Sequence, residues 1–448
     1  MKKFDFVQAQ EFLFDHIPPS DTYKYPGELG LRRQKALLVL LGEPQNKLKV
    51  IHVAGTSGKG STCYLISKIL TNQGFKIGLS LSPHLTDIRE RFQINGQLVS
   101  EDKFCQTLAK IVPAVEKVEK LGMGKPTYFE ILIALAFHLF ALEKVNYAVI
   151  ETGLGGWLDG TNVVDRKDKL AVISKIGHDH VKLLGRTLDK IALHKAKIIR
   201  SGNLALSIHQ HPQAAKVIAT EARKLGSHLE FIEPIRNYCL RSLNEQYTVF
   251  DFRYRKVNLL NVQLGLLGRH QMENASLALT AVFSLSRRDK FNIDQPSLRK
   301  SLKEARFPGR LDIIGFRGKT LIVDGAHNVQ KMSAFLKSLV RIFPSQKFVF
   351  VLAFKKDKNV AKMLSLIAPL AANLIITTFF NQKVKQGYAA LAMQKDQVDS
   401  AAKHLGLNYH FVCKSSMALN LAIRQYSGPI VVTGSLYLVG ELYEWLNS

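Results

Sequence analysis

The sequence predicts an α/β protein in which a phosphate-loop, doubly wound, mostly parallel sheet is followed by a smaller Rossmann-like α/β domain. Three observations carry this expectation. The segment KVIHVAGTSGKGS at 49–61 is an apolar run that breaks into a glycine loop holding a lysine and a hydroxyl. Apolar runs of strand length recur along the chain and alternate with helical patterns, the mark of right-handed βαβ units. The length of 448 residues exceeds one ordinary core and asks for two domains.

Taken in order, the amino-terminal MKKFDFVQAQEF mixes basic residues with acids and glutamines where a signal peptide needs an apolar core, so a cytoplasmic location is expected. In the 49–61 stretch, Val50, Ile51, Val53 and Ala54 read as a buried strand, Gly55, Gly58, Lys59, Gly60 and Ser61 as a loop, and TCYLISKIL as the next helix. Backbone N–H groups and a helix N-terminus can wrap a phosphate chain there, with the lysine on the terminal phosphates and the hydroxyl facing Mg²⁺. The spacing departs from G-x-x-x-x-G-K-[ST], since Val53 stands at the first glycine and Gly60 separates lysine from serine. A plain turn between strand and helix is the alternative, but such a turn has no need of a lysine between glycines.

Further strands are expected in KIGLSL (76–81), NYAVIE (146–151) and LAVISKI (170–176). The apolar run at 131–142 contains His138, stops at Glu143 and Lys144, and is too short to span a bilayer. Residues 205–262 are choppier, and stretches such as QYTVFDFRYRKVNLL suggest antiparallel strands in an insertion or edge sheet. Pro308 and Gly309 in RFPGRLD interrupt the helical pattern and divide the chain into domains 1–308 and 309–448. The second opens a new series with TLIVDG (320–325), KFVFVLAF (347–354), NLIITTF (373–379) and PIVVTGS (429–435).

Hydrophobic content of 46% with 22% charged residues is ordinary for a folded protein. The net charge of +26 suits an anionic substrate, a nucleic acid or merely a basic background. Lys and Arg are scattered rather than gathered into an arm or stripe, so no nucleic-acid partner is expected. Cys63, Cys105, Cys239 and Cys413 form no C-x-x-C pair and read as reduced thiols.

Ligands of open parallel sheets collect at the carboxyl ends of the strands. Four strand ends are polar together: the phosphate loop to Ser61, Ser82 in LSPHL, Glu151 in ETGLGG, and His178, Asp179 and His180 in IGHDH. Lysine, hydroxyl, carboxylate and imidazole on one edge suit a Mg²⁺-nucleotide site, because Mg²⁺ takes oxygen ligands and keeps phosphates and waters in its shell. Each alone has a plainer reading: a turn serine, a strand-end carboxylate, a solvated H-x-H loop.

In a helix expected over 187–200, Ile191 and Ile198 flank Lys195 and set it on the apolar stripe. Burial and the neighbours His194, Lys197 and Arg200 would lower its pKa from ~10.4 toward the range where the neutral amine reacts. Such an amine can capture CO₂ as a carbamate, a carboxylate-like metal ligand. A lysine snorkelling out over the core is the plainer alternative.

These residues resemble the folylpolyglutamate synthase/dihydrofolate synthase family of the Mur ligase superfamily. The likeness runs in order from about residue 20 to the C-terminus: GTSGKGS (55–61), SPHL (82–85), TYFE (127–130), ETGLGG (151–156), LDGTN (158–162), HKAKI (194–198), GRHQMENA (268–275), PGR (308–310) and DGAHN (324–328). SPHL and TYFE are similar to the folate branch rather than the cell-wall peptide ligases.

The resemblance implies a Mur ligase central-domain sheet and a set of roles. Gly58, Lys59, Gly60 and Ser61 would hold the ATP phosphates. Ser82, Glu151 and His180 would bind Mg²⁺, with carbamylated Lys195 bridging toward a second Mg²⁺. Asn274, in a helix expected over 271–286, would read the adenine. Arg310, Asp324 and His327 would close on the nucleotide from the second domain, with Lys59, Lys195 and His327 as the catalytic set. Thr127, Tyr128 and Phe129 with Leu158, Asp159 and Gly160 would line the pterin site. The implied reaction is ATP-dependent addition of L-glutamate to dihydropteroate or folate through an acyl phosphate, by a monomer. Departures from the family pattern are Trp157, His194, Lys197, Val329 and the D-K-N at 357–359. Other readings left open are a cell-wall amino-acid ligase, a phosphate-loop ATPase or kinase, and a non-catalytic nucleotide-binding module.

Overall fold

The computed structural model describes residues 4–18, 26–356, 358–379 and 392–446. Among them the first sheet comprises β1 (Val50–Ala54), β2 (Ile77–Ser80), β3 (Gln93–Ile94), β4 (Gln97–Leu98), β5 (Tyr147–Glu151), β6 (Leu170–Ile173), β7 (Leu204–Ile208) and β8 (His228–Ile232). Their spatial order is β4-β3-β2-β5-β1-β6-β7-β8, parallel throughout except at β3, which pairs antiparallel with both β2 and β4. β1, β2, β5 and β6 are buried end to end, which is why they read as near-continuous apolar runs. Alternate residues of β1 serve opposite faces. Ile51 and Val53 pack with the helices Lys59–Asn72 and Arg269–Asp289, while Val50 meets the apolar helix Tyr128–Leu142.

The register aligns the functional ends. Val53 pairs with Glu151, Ala54 with Ile173 and Ser80 with Ile150, so β2, β5, β1 and β6 finish side by side at one edge. The chain crosses from β5 over β1 to β6 here, the kind of switch point at which open sheets take ligands.

The 205–262 segment divides differently from the sequence expectation. β7 and β8 flank the helix Pro212–Lys224 and extend the main sheet in parallel. β8, an edge strand, is only partly buried and lacks the apolar run of the central strands; the crossover helix sets its parallel direction. Only β9 (Tyr238–Leu243), β10 (Thr248–Tyr254) and β11 (Val257–Leu264) form the antiparallel sheet.

The second α/β unit contains β12 (Arg310–Phe316), β13 (Lys319–Asp324), β14 (Phe348–Leu352), β15 (Ala371–Thr377), β16 (His410–Val412) and β17 (Ile430–Thr433), ordered β12-β13-β17-β14-β15-β16. β12 is antiparallel to β13, and the other neighbours are parallel. Its two faces carry separate apolar cores. We propose the domain division at 308/309, in the connection between the helix Gln295–Lys303 and β12. There Phe307 stacks on Tyr64 with centroids 4.9 Å apart, and the Arg306 N–H donates to the Tyr64 hydroxyl at 3.0 Å. Among the described residues no helix is long and apolar enough to cross a membrane. The four cysteines are free.

Candidate active site

The phosphate loop is shaped by two glycines. Gly55 runs so close to β6 that an added Cβ would lie 2.0 Å from Ser174 Oγ, and Gly58 takes φ +87°, a left-handed conformation that side chains resist. Between them the Thr56 and Ser57 N–H groups donate to the Lys175 carbonyl at 2.9 and 3.1 Å. Thr56 Oγ1 donates to the Gly177 carbonyl at 3.0 Å, tying the loop to the end of β6. The helix Lys59–Asn72 starts at Gly58 without a side-chain cap, so its first N–H groups and dipole remain for an anion.

Charges converge on this terminus. Glu151, buried at the end of β5, accepts the Ser82 N–H at 2.9 Å, and its Oε1 lies 3.8 Å from Lys59 Nζ. Burial pushes its carboxyl up, against the pull of Lys59. Lys195 is buried and donates to the Gly55 carbonyl at 2.9 Å. Burial and the charges of Lys59 and Lys331 push its amine down to about 7. The sequence neighbours are not the cause: Lys197 pairs with Glu221 at 2.6 Å, Arg200 pairs with Asp165 at 2.5 Å, and the helix ends at Ala196.

His180 lines the cavity in a left-handed conformation with its side chain still exposed, and partial desolvation with the charges of Lys358 and Lys59 holds its imidazole down to about 4, against Asp179. His178 is exposed and stands outside the cavity lining. Burial would raise the Asp179 carboxyl, but His180, Lys358, Lys331 and His327 together hold it well below the usual range. Asn328 Nδ2 donates to Asp179 Oδ2 at 2.9 Å and Lys358 Nζ lies 3.4 Å from Oδ1, joining the second domain to this loop. Asp357 lies outside the described residues.

From the second domain, the Arg310 guanidinium covers the Phe307 ring at 5.5 Å. Asp324 accepts the Leu311 and Ala326 N–H groups at 2.9 and 2.8 Å, and burial pushes its carboxyl up to about 6, against Arg310. His327 Nδ1 donates to the Gly325 carbonyl at 2.8 Å, while burial holds the ring well below its ordinary pKa.

Every site residue read from the sequence except His178 lines one cavity of about 1100 Å³ between the two units. Several side chains in it also hold their own loops together. The Thr127 hydroxyl caps the helix Tyr128–Leu142 by accepting the Glu130 N–H, and Glu130 is paired with buried Arg33 at 2.7 Å. Tyr128 stacks on Phe14 and faces Arg91. Phe129 lies against Gly153, where a Cβ would come within 2.3 Å of the ring. Leu158 and Gly160 are on the same wall, but the Asp159 carboxylate is turned into its own loop, accepting Leu154 N–H at 2.5 Å and Thr161 N–H and Oγ1 at 2.9 and 2.6 Å. Asn274, in the longer helix Arg269–Asp289, donates to Gln271 Oε1 at 3.0 Å and sets its own Oδ1 against Gly58.

Two groups escaped the sequence reading. His52, central in β1, has Nε2 2.8 Å from Thr161 Oγ1 and 3.1 Å from Thr152 Oγ1, so it anchors the 152–161 loop from behind. Lys331 lines the cavity one helical turn after His327. Its spacing of four from that histidine at a helix start was the available signal. Among the departures, Trp157 packs beside His194 with centroids 5.6 Å apart and under Lys197 Nζ at 5.6 Å, so three of them form one cluster.

Residues 53–282 match the Mur ligase middle domain, and residues 313–445 match the dihydrofolate synthetase C-terminal domain. The chain is 31% identical over 429 residues to the dihydrofolate synthase/folylpolyglutamate synthase of Bacillus subtilis, covering 95% of this chain and 96% of that one. It is 31% identical over 437 residues to the dihydrofolate synthetase of Saccharomyces cerevisiae, covering 94% and 98%. Among solved structures it is similar to Mycobacterium tuberculosis folylpolyglutamate synthase complexed with ADP, with a TM-score of 0.87, 26% identity and coverage of 99% and 98%.

Proposed function

Because this chain belongs to the folylpolyglutamate synthase/dihydrofolate synthase family of the Mur ligases, we propose that its interdomain cavity joins L-glutamate to a pterin-bearing carboxylate at the expense of ATP. The protein is an ATP-dependent acid–amino-acid ligase. The observation that carries the reading is the continuity of the cavity. It runs from the uncapped helix terminus, Lys59 and buried Glu151 to the wall of Tyr128, Phe129 and Leu158, so a phosphate chain and an apolar ring system meet in one space.

In this reading Gly58, Lys59, Gly60 and Ser61 bind the ATP phosphates through backbone N–H groups and the lysine ammonium. Asn274 and Arg310 flank the nucleotide. Asp324 holds the turn that presents His327, by accepting two backbone N–H groups. Tyr128, Phe129, Leu158 and Gly160 hold the pterin, with Thr127 and Asp159 fixing the loops that carry them.

Among the described residues no group of three or more His, Cys, Asp and Glu side chains gathers as a ready metal cage. A buried carboxylate at Glu151 that accepts one N–H and stands 3.8 Å from a lysine fits Mg²⁺, which takes phosphate and water as its remaining ligands. Ser82, Glu151, His180 and a carbamate on Lys195 would hold two such ions. When bound, Mg²⁺ offsets charge on the phosphate oxygens.

The substrate carboxylate oxygen attacks the γ-phosphorus, the bond to the leaving ADP oxygen breaks, and an acyl phosphate forms. Lys59 follows the charge on the transferring group. The neutral amine of glutamate then attacks the acyl carbon, phosphate leaves with the bonding pair, and the amine gives up a proton as the amide forms. The two domains exclude water, which would hydrolyse the acyl phosphate. Phosphate release measured with 7,8-dihydropteroate and with a reduced folate monoglutamate, each with and without glutamate, tests the reading. Release indifferent to glutamate with both acceptors would overturn it.

A further inference from the structure

Lys331 is a cavity lysine that the ligase mechanism leaves without a role. It sits in the first turn of the helix Val329–Ile342, whose core face is made by Met332, Phe335, Leu336, Leu339 and Ile342, while Lys331 lines the cavity. Its amine lies 3.0 Å from His327 Nε2. Because His327 Nδ1 donates to the Gly325 carbonyl, Nε2 is left as the acceptor, and the ring holds the amine without neutralising it. Among the described residues no carboxylate stands within ion-pair distance of Lys331.

Charge makes this arrangement unusual. Lys59, Lys195, Arg310 and Lys331 share the cavity, two from each domain. Of the acids around the phosphate loop, Glu151 is engaged by Ser82 and Lys59, Asp179 by Asn328 and Lys358, and Asp324 by backbone N–H groups. Burial and the charges of Lys59 and Arg310 push the Lys331 amine down to about 7. Lys59, Arg310 and Lys331 so placed repel one another until a polyanion enters, and a triphosphate is the polyanion that the Gly58 helix terminus is built to take.

We propose that Lys331 is a second phosphate-binding lysine, carried by the C-terminal domain and held by His327, whose ammonium contacts the γ-phosphoryl group as it passes to the substrate carboxylate. This rests on the ligase reading for the identity of the acceptor. Lys331 moves no proton. It donates hydrogen bonds to the phosphoryl oxygens while the bond to ADP breaks and the bond to the carboxylate oxygen forms. Because the lysine arrives on the second domain, its contact also makes phosphoryl transfer depend on domain closure.

The test compares full-length wild type with Lys331→Met and Lys331→Arg, titrated with ADP and with the non-hydrolysable triphosphate AMPPCP in Mg²⁺ buffer, and assayed for turnover. Lys331→Met should weaken AMPPCP at least about ten-fold more than ADP and lower kcat about 100-fold, with KM for the folate acceptor nearly unchanged. Lys331→Arg should recover part of both losses by restoring the charge. A residue with only a packing role would weaken both nucleotides alike. Equal loss for ADP and AMPPCP, or unchanged kcat in the Met variant, overturns the proposal. Should Lys331→Met melt early, Lys331→Gln takes its place in the same comparison with Lys331→Arg. Failure of the ligase reading shows separately, as wild-type phosphate release indifferent to glutamate.

Discussion

Replacing Gly58 by alanine tests how the phosphate loop is held. The new side chain must adopt φ near +87° at the head of the helix Lys59–Asn72, which costs about 1–2 kcal/mol. Its Cβ falls 2.1 Å from Asn274 Oδ1 and 2.9 Å from Asn274 Cγ, so the amide must turn away. Turning it breaks the 3.0 Å hydrogen bond to Gln271, worth about 0.5–1.5 kcal/mol. Together these predict a loss of about 1.5–3.5 kcal/mol, read as a lower urea midpoint at unchanged slope. Asn274→Ala by itself loses only the hydrogen bond, and in the double variant the clash has nothing left to displace. The double variant should therefore be more stable than the sum of the single losses by about 1 kcal/mol, well outside the ~0.3–0.5 kcal/mol scatter of independent sites. The Gly58→Ala variant should also show a raised KM for ATP, since both the loop path and Asn274 have moved. Additive losses, or wild-type stability in Gly58→Ala, would show that the two residues do not bear on each other and refute the reasoning.

Lys59→Ala should lower kcat about 10²–10³-fold while leaving the urea midpoint close to wild type, because its ion pair to Glu151 is long at 3.8 Å; normal turnover would remove the loop from the mechanism. Lys195, pushed down to about 7, should take up CO₂ with a rate that rises with pH through about 7, where the neutral amine accumulates. Dialysis into CO₂-free buffer should depress activity and bicarbonate restore it, and indifference to both would sink the carbamate. Asp324 keeps its proton up to about pH 6 in the fold against an ordinary value of 3.8, so the stability it contributes is complete below pH 3.8 and is lost as pH rises through 6. Urea midpoints across that window should decline less in Asp324→Asn, and an identical decline would contradict the assignment. If the net charge of +26 steers polyanions, NaCl should raise KM for folate polyglutamates far more than for dihydropteroate, because screening acts over about 8 Å at physiological salt. Equal salt slopes would assign the charge to background.

What the sequence by itself determined is the local part of this protein. Near-continuous apolar runs at 50–54, 77–80, 147–151 and 170–173 marked parallel strands because both faces of such strands are buried. Glycines around Lys59 marked a loop that side chains would obstruct, and polar residues at the strand ends marked the edge where a ligand meets them. These signals are short-range, so they survive in one dimension. Only the tertiary structure decided what depends on distant neighbours. β8 looks antiparallel until the helix Pro212–Lys224 carries it back alongside β7. The amine of Lys195 is depressed by burial and by Lys59 and Lys331, not by the charges beside it in the chain, which are turned toward Glu221 and Asp165. Asp159 reads as a cavity carboxylate but is consumed by its own loop, and Lys331, which the sequence reading did not single out, shares a cavity with Lys59 across the domain boundary. The reason is physical: periodicity and backbone freedom are properties of a segment, whereas burial, pairing and pKa belong to whatever the fold brings within a few ångströms.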